Sequence, residues 1–237
     1  SSCFITAIDD SLDNIFYNIS AIAQISKNGG GVGVKLSRIC GAGGENRRVP
    51  NASGGVIPWI KIVNDTAVAV NQLGKRSGAV TVALDVWHRD IEDFLELQTE
   101  NGDQRKKAYD LFPQVVIPDL FMERVKANKD WMLFDTDEVK RLHQTSLADL
   151  WGAEFEKTYL RLEVDPNMVL AKKVSARDLF KRIMKSQLET GMPYLFFKDT
   201  VNQANPNKHD GMIGSGNLCQ ESFSNFKPSK IQKEYLK

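Results

Sequence analysis

The sequence predicts an α/β fold. Short runs rich in β-branched and apolar residues, such as 3–8 (CFITAI) and 79–84 (AVTVAL), have the length and composition of buried strands. Between them stand longer stretches whose apolar residues recur at helical spacing. Glycine-rich or proline-bearing segments punctuate the two kinds. Such alternation is the mark of parallel strands joined by helical crossovers. Periodicity alone fits an open sheet and a barrel equally.

Residues 3–8 form the first predicted strand. Leu12, Ile15, Phe16, Ile19, Ile22 and Ala23 then mark a helix, with Ser11 placed to cap its start and the glycines at 29–31 to end it. Residues 32–36 (VGVKL) make a second strand, so 3–36 is a strand–helix–strand unit. The stretch 40–55 (CGAGGENRRVPNASGG) is a long glycine-rich loop, a length that in compact domains goes with function. A helix follows with Pro58 in its first turn and Ile60, Val63, Ala67 and Val70 among its apolar positions. A second glycine-bounded loop, 71–78, leads to strand 79–84. Next come a helix over 87–97, with Ile91, Phe94 and Leu95 inward, a strand at 113–117, a helix begun by Pro118 and a strand at 131–134. Two amphipathic helices are each headed by a Ser-x-x-Asp pair, Ser146 with Asp149 and Ser175 with Asp178, and the second ends at Gly191. Strand 193–197 is the last clear element. Residues 199–237 turn polar and weakly periodic, a loop and tail apart from the body at 1–198.

The chain has 237 residues, with 31 basic and 30 acidic side chains for a net charge of +1. That balance argues against a nucleic-acid surface. No apolar run approaches the ~20 residues needed to cross a membrane. Cys3, Cys40 and Cys219 are too few and too far apart for a disulfide framework or a zinc site, so a reducing, cytoplasmic setting is expected. His88, His143 and His209 share no ligand spacing and read as structural, so no metal site is expected.

Residues 215–222 (SGNLCQES) hold the most suggestive chemistry. Positions i, i+2 and i+4 splay apart on a helix but point one way in an extended segment. Glycines at 211, 214 and 216 favour an extended loop. Asn217, Cys219 and Glu221 would then face one side together. A carboxylate beside a thiol raises its pKa, so Cys219 is poorly suited to thiolate attack and better suited to hydrogen-atom chemistry. Glu221 is placed to take a proton from a substrate hydroxyl, and Asn217 to hold a neighbouring one. The plainer reading makes Cys219 a buried small hydrophobe, as free cysteines often are.

Residues 28–33 (NGGGVG) follow a helix and open a strand, the reverse of a phosphate-binding glycine loop. These glycines suit a ligand lying against bare backbone, or simply a helix end and a tight turn. Arg47, Arg48, Lys75 and Arg76 lie in glycine-rich loops suited to phosphates, though solvated loop charge accounts for them as well.

Four segments in this order and spacing, "SSCFI…DDSLDNIF", "NGGGVGVKLSRI", "KRSGAVTVALDVWHRDIEDFLEL" and "NLCQES", resemble the large catalytic subunit of class I ribonucleotide reductase. The similarity covers nearly the whole chain and fades after about residue 226. It implies the first half of a ten-stranded α/β barrel, with a finger loop carrying a radical cysteine. On that resemblance Cys219 is the thiyl carrier that abstracts the 3′ hydrogen of a ribonucleotide, Glu221 the base for the 3′-hydroxyl, and Asn217 the amide orienting the sugar hydroxyls. Cys3 is one of two reducing thiols. Ser2, Gly30, Gly31 and Arg76 help hold the substrate. Asp10, Ser11, Arg47, Gln72 and Lys75 belong to the site for a dNTP or ATP effector with magnesium, and loops 40–55 and 71–78 are its two specificity loops.

The resemblance also implies partners. These are a metal-containing small subunit that generates the radical, a thioredoxin- or glutaredoxin-type reductant, the C-terminal half of the catalytic subunit, and a second copy docked through the first helix. No covalently bound cofactor is implied. Cys40 stands where the family usually has an arginine that meets effector phosphate. The second reducing thiol and the second half-barrel are expected beyond residue 237, so this chain reads as part of a fragmented or split subunit. Two other readings stay open: a fragment of the adenosylcobalamin-dependent class, which cobalamin dependence would reveal, and a dNTP-binding assembly segment without turnover.

Overall fold

The computed structural model describes residues 3–44, 53–70 and 79–230. Its centre is a parallel sheet of five strands: β1 (Cys3–Ala7), β2 (Gly31–Lys35), β3 (Val80–Asp85), β4 (Phe112–Ile117) and β7 (Tyr194–Phe197), in the spatial order β1-β2-β3-β4-β7. Sequential neighbours pair in register, Gly33 with Ile5 and Thr81, Ala83 with Gln114, and Gln114 with Tyr194. Parallel strands need crossovers, and helices provide them.

Helix α1 (Leu12–Lys27) links β1 to β2, and its Ser11 cap accepts from Asn14 N as expected. Helix α2 (Ile57–Ala69), with Pro58 in its first turn, links β2 to β3. Helix α3 (Ile91–Leu95) is shorter than the periodicity of 87–97 predicts, but Ile91, Phe94 and Leu95 are buried as expected. After β4 come α4 (Asp119–Lys126), β5 (Asp130–Leu133), α5 (Thr136–His143), α6 (Gly152–Glu163), β6 (Lys172–Ser175), α7 (Ala176–Thr190), β7 and α8 (Lys198–Ala204). Strands β5 and β6 form a separate antiparallel pair.

Strand residues alternate between two faces. Val32, Val34, Val80, Val82, Leu84, Val115 and Ile117 point to the helices and share one large apolar core with them. The opposite face is sparse: Ala83, Val116 and Phe196 make a small cluster with Ile213. Segment 205–230 crosses this second face.

Three expectations need correction. The Ser146–Asp149 pair does not cap a helix: 147–149 is one turn of 3-10 helix, Ser146 makes no cap bond, and α6 starts at Gly152. Asp149 is drawn away by an ion pair with Arg38. Helices α5 and α8 and strand β6 were not predicted. The glycines of β2 face the chain's own loop. A side chain at Gly31 would strike Leu218, its Cβ 2.9 Å from that of Leu218, and one at Gly33 would come within 3.0 Å of the Asn217 backbone.

Candidate active site

The finger loop reaches the sheet through buried anchors. Asn202 on α8 grips Ile213 twice, donating to its carbonyl (2.9 Å) and accepting from its N–H (2.8 Å). Lys35 Nζ donates to Gly214 O at 3.0 Å. The tip is then fixed from below: Thr81 Oγ1 donates to Leu218 O at 2.6 Å, and Gln114 Nε2 bonds Gln220 Oε1.

The tip is a tight turn and departs from the extended segment predicted. Asn217 Oδ1 accepts from the N–H groups of Glu221 and Ser222, both at 3.1 Å, and Asn217 N donates to Ser222 O. Gln220 takes the left-handed conformation at φ 64°. The bonds to Asn217 Oδ1, from the N–H groups four and five residues on, fold the backbone back over the asparagine side chain and override the extended bias of the glycines. Cys219 stands at the apex and is exposed, which excludes the buried-hydrophobe reading.

The turn still brings Asn217, Glu221 and Cys3 together, while Cys219 does not line their cleft. Asn217, 2% exposed, and Glu221 line an open cleft of about 560 Å³ with Cys3, Phe4, Ile5 and Ser222. The Asn217 amide holds the exposed Glu221 carboxyl below its ordinary range, and the Cys3 thiol adds to this. The amide nitrogen itself makes no well-aligned hydrogen bond and is buried facing the cleft. Tyr194, absent from the sequence reading, stands close by. Burial and then the neighbouring Cys219 and Glu221 push its hydroxyl upward. Thr81 and Gln114 were also missed. Their signal was present: an isolated hydroxyl and an isolated amide inside apolar strands.

A second cleft lies at the far end of β1, lined by Asp9, Asp10, Arg38, Thr136, Lys140 and Asp149 among others. Burial raises the Asp10 carboxyl, although the Cys40 thiol and N–H (3.3 Å) bond to it. Cys40 is buried, 3.1 Å from Ser53 Oγ, and burial pushes its thiol up to about 12. Ser11 is spent on its helix cap. The stem of the 40–55 loop is pinned by two carboxylates, Asp135 on Gly41 N and Asp90 on Ala42 N and Val56 N. Ser2, Arg47, Gln72, Lys75 and Arg76 lie outside the described residues. Beside Gly30 the space is filled by Ile25 and Phe4. His88 is structural, bonded to Ile39 O at 2.7 Å. Among the described residues no helix is long and apolar enough to cross a membrane, and no acidic, histidine and cysteine cluster has metal-holding geometry.

A five-stranded parallel sheet with helices outside and a cysteine-tipped loop inside defines half of a barrel. Residues 1–233 match the family model described as ribonucleotide reductase, barrel domain, and the chain belongs to that family. It is 58% identical to the ribonucleoside-diphosphate reductase subunit alpha of Synechocystis sp. over 97% of this chain and 30% of that protein. It is 44% identical to the subunit alpha of Helicobacter pylori strain J99, over 99% and 29%, and 42% identical to the large subunit of Arabidopsis thaliana, over 97% and 28%. The chain thus spans about 30% of the length of the curated relatives it matches.

Proposed function

We propose that this chain supplies the first half of the catalytic barrel of a class I ribonucleotide reductase, acting on ribonucleoside diphosphates. One observation carries the reading. Cys3 on β1 and Glu221 on the loop tip, from opposite ends of the chain, meet in one cleft, where Asn217 and Cys3 hold the carboxyl low. The names of the relatives support the diphosphate substrate and, in the words subunit alpha and large subunit, a further subunit.

In this reading a metal-containing small subunit supplies the radical that converts the Cys219 S–H to a thiyl. The thiyl takes the 3′ hydrogen atom of the ribose. Glu221, held ionised, accepts the 3′-hydroxyl proton, and Asn217 orients the hydroxyls. The 2′-hydroxyl takes a proton from one of two reducing thiols, Cys3 and a second outside this chain, and leaves as water. The pair then gives a hydrogen atom to the 2′ carbon and an electron to the 3′-keto group, which regains its proton from Glu221, and closes to a disulfide that a thioredoxin- or glutaredoxin-type reductant reopens. Cys219 then returns its hydrogen to the 3′ carbon.

Ser2 and Arg76 are assigned to substrate; Gly30 and Gly31, whose open sides are filled by Ile25, Phe4 and Leu218, are not. Asp10, Ser11, Arg47, Gln72 and Lys75 are assigned to a dNTP or ATP effector with magnesium, and the cleft lined by Asp10 supports the first of them. Leu12, Phe16 and Tyr17, each about half exposed on α1, support docking of a second copy there. The setting is cytoplasmic.

The test is ribonucleotide reduction by this chain combined with the C-terminal half of the catalytic subunit and the radical subunit. Turnover that vanishes in Cys219→Ser supports the assignment. Turnover that survives the substitution removes it.

A further inference from the structure

Cys219 is bracketed by two residues that are each tied to the sheet. Before it, Leu218 O accepts from Thr81 Oγ1 at 2.6 Å. After it, the Gln220 side chain accepts from Gln114 Nε2, and Gln220 Nε2 donates back to Asn217 O at 2.7 Å. Thr81 and Gln114 stand on the adjacent strands β3 and β4, on the face the loop crosses, and both are 0% exposed. A buried hydroxyl and a buried amide in apolar strands are costly unless bonded, and both aim at the loop tip.

Elsewhere the tip is held by the bonds of Asn217 to Glu221 and Ser222 and by the Gly33 contact, none of which reaches the residues flanking Cys219 from the β3 and β4 side. The loop lacks regular structure, holds glycines at 211, 214 and 216, and bends through a left-handed Gln220. The anchors at Ile213 and Gly214 fix its base. Immediately around Cys219, the sheet holds the Leu218 carbonyl on one side and the Gln220 side chain on the other.

We propose that Thr81 and Gln114 are positioning residues for Cys219, clamping the Leu218 carbonyl before it and the Gln220 side chain after it so that Sγ is held toward the substrate sugar. This rests on the reading of Cys219 as the hydrogen-abstracting thiol. Neither residue touches the reacting atoms. Their contribution is alignment, where a displacement of about 1 Å costs on the order of a hundredfold in rate.

The test uses the complete catalytic assembly carrying Thr81→Val, Thr81→Ser, Gln114→Leu or Cys219→Ser. Thr81→Val and Gln114→Leu are expected to lower kcat about tenfold to a hundredfold, with KM within about twofold of the parent. Thr81→Ser, which keeps the donor, should restore kcat to within about threefold. Amide exchange should quicken over the tip but not along β3. Unchanged kcat in both Thr81→Val and Gln114→Leu, with Cys219→Ser inactive, overturns the positioning role. So does a fall in apparent kcat that disappears once activity is divided by the folded fraction measured by circular dichroism. If Thr81→Val does not fold, Gln114→Leu decides alone. Turnover surviving Cys219→Ser overturns the underlying reading instead.

Discussion

Lys35 Nζ lies 3.0 Å from Asp85 Oδ2, both side chains sealed from solvent, and Lys198 Nζ approaches the other oxygen of the same carboxylate at 3.7 Å. Both lysines also donate to Ala148 O. Burial alone would raise Asp85, but Lys35 and then Lys198 outweigh it and hold the carboxyl low. One anion does not balance two cations in a dry site. Burial and then repulsion from Lys35 therefore push Lys198 down to about 7.

That depression fixes a sign. The unfolded lysine titrates near 10.5, so between about pH 7 and pH 10 the unfolded chain binds the extra proton. Stability should rise with pH across that window relative to Lys198→Met. Denaturant midpoints of the two proteins at the ends of the window measure it. A difference that does not change with pH would falsify the assignment.

Gly33→Ala should expel the loop tip. The added methyl meets the Gly216 carbonyl and the Asn217 backbone, neither of which has a flexible end to yield. A loss of about 1–3 kcal/mol is expected from overpacking, together with most of the turnover. Thermal melting and activity assays check both, and a fully active variant would refute the packing.

Cys40 should resist alkylation. Its thiol is buried and raised to about 12 by that burial, with Asp10 and Asp135 adding to the effect. Iodoacetamide at about pH 8 acts on thiolate, so peptide mass spectrometry of the native protein should find Cys40 intact and the exposed Cys219 labelled.

Tyr159→Phe should destabilise by about 1–3 kcal/mol. The buried hydroxyl accepts from Met132 N at 2.6 Å and donates to Met132 O at 3.1 Å, holding β5 against α6. Its loss strands a strand N–H. Chemical denaturation with an unchanged midpoint would count against this role.

The sequence was most legible where the deciding interactions are local. The Ser11 and Ser175 caps each bond an N–H three residues on, and both hold. Helix α5 was missed because its residues are mostly charged, although Asp135 caps it from the same spacing. Helix α8 begins at Lys198 directly after β7, with no turn residue between them. Ser146 misled because its apparent partner Asp149 is claimed by Arg38, from a part of the chain remote in sequence. The site was half legible. Asn217, Cys219 and Glu221 stood out by spacing, while their grouping with Cys3 depends on a turn and a crossing of the sheet that no local pattern shows.

Gly33 lets the loop rest on strand β2 peptide against peptide. A contact made of side chains has torsions through which it can drift. This one has none, so the separation between the strand and the thiol-bearing turn is set by the thickness of two backbones. Repacking on the helical side of the sheet would move strand and loop together as one body. The cysteine-bearing turn is thereby insulated from adjustments in the core that supports it.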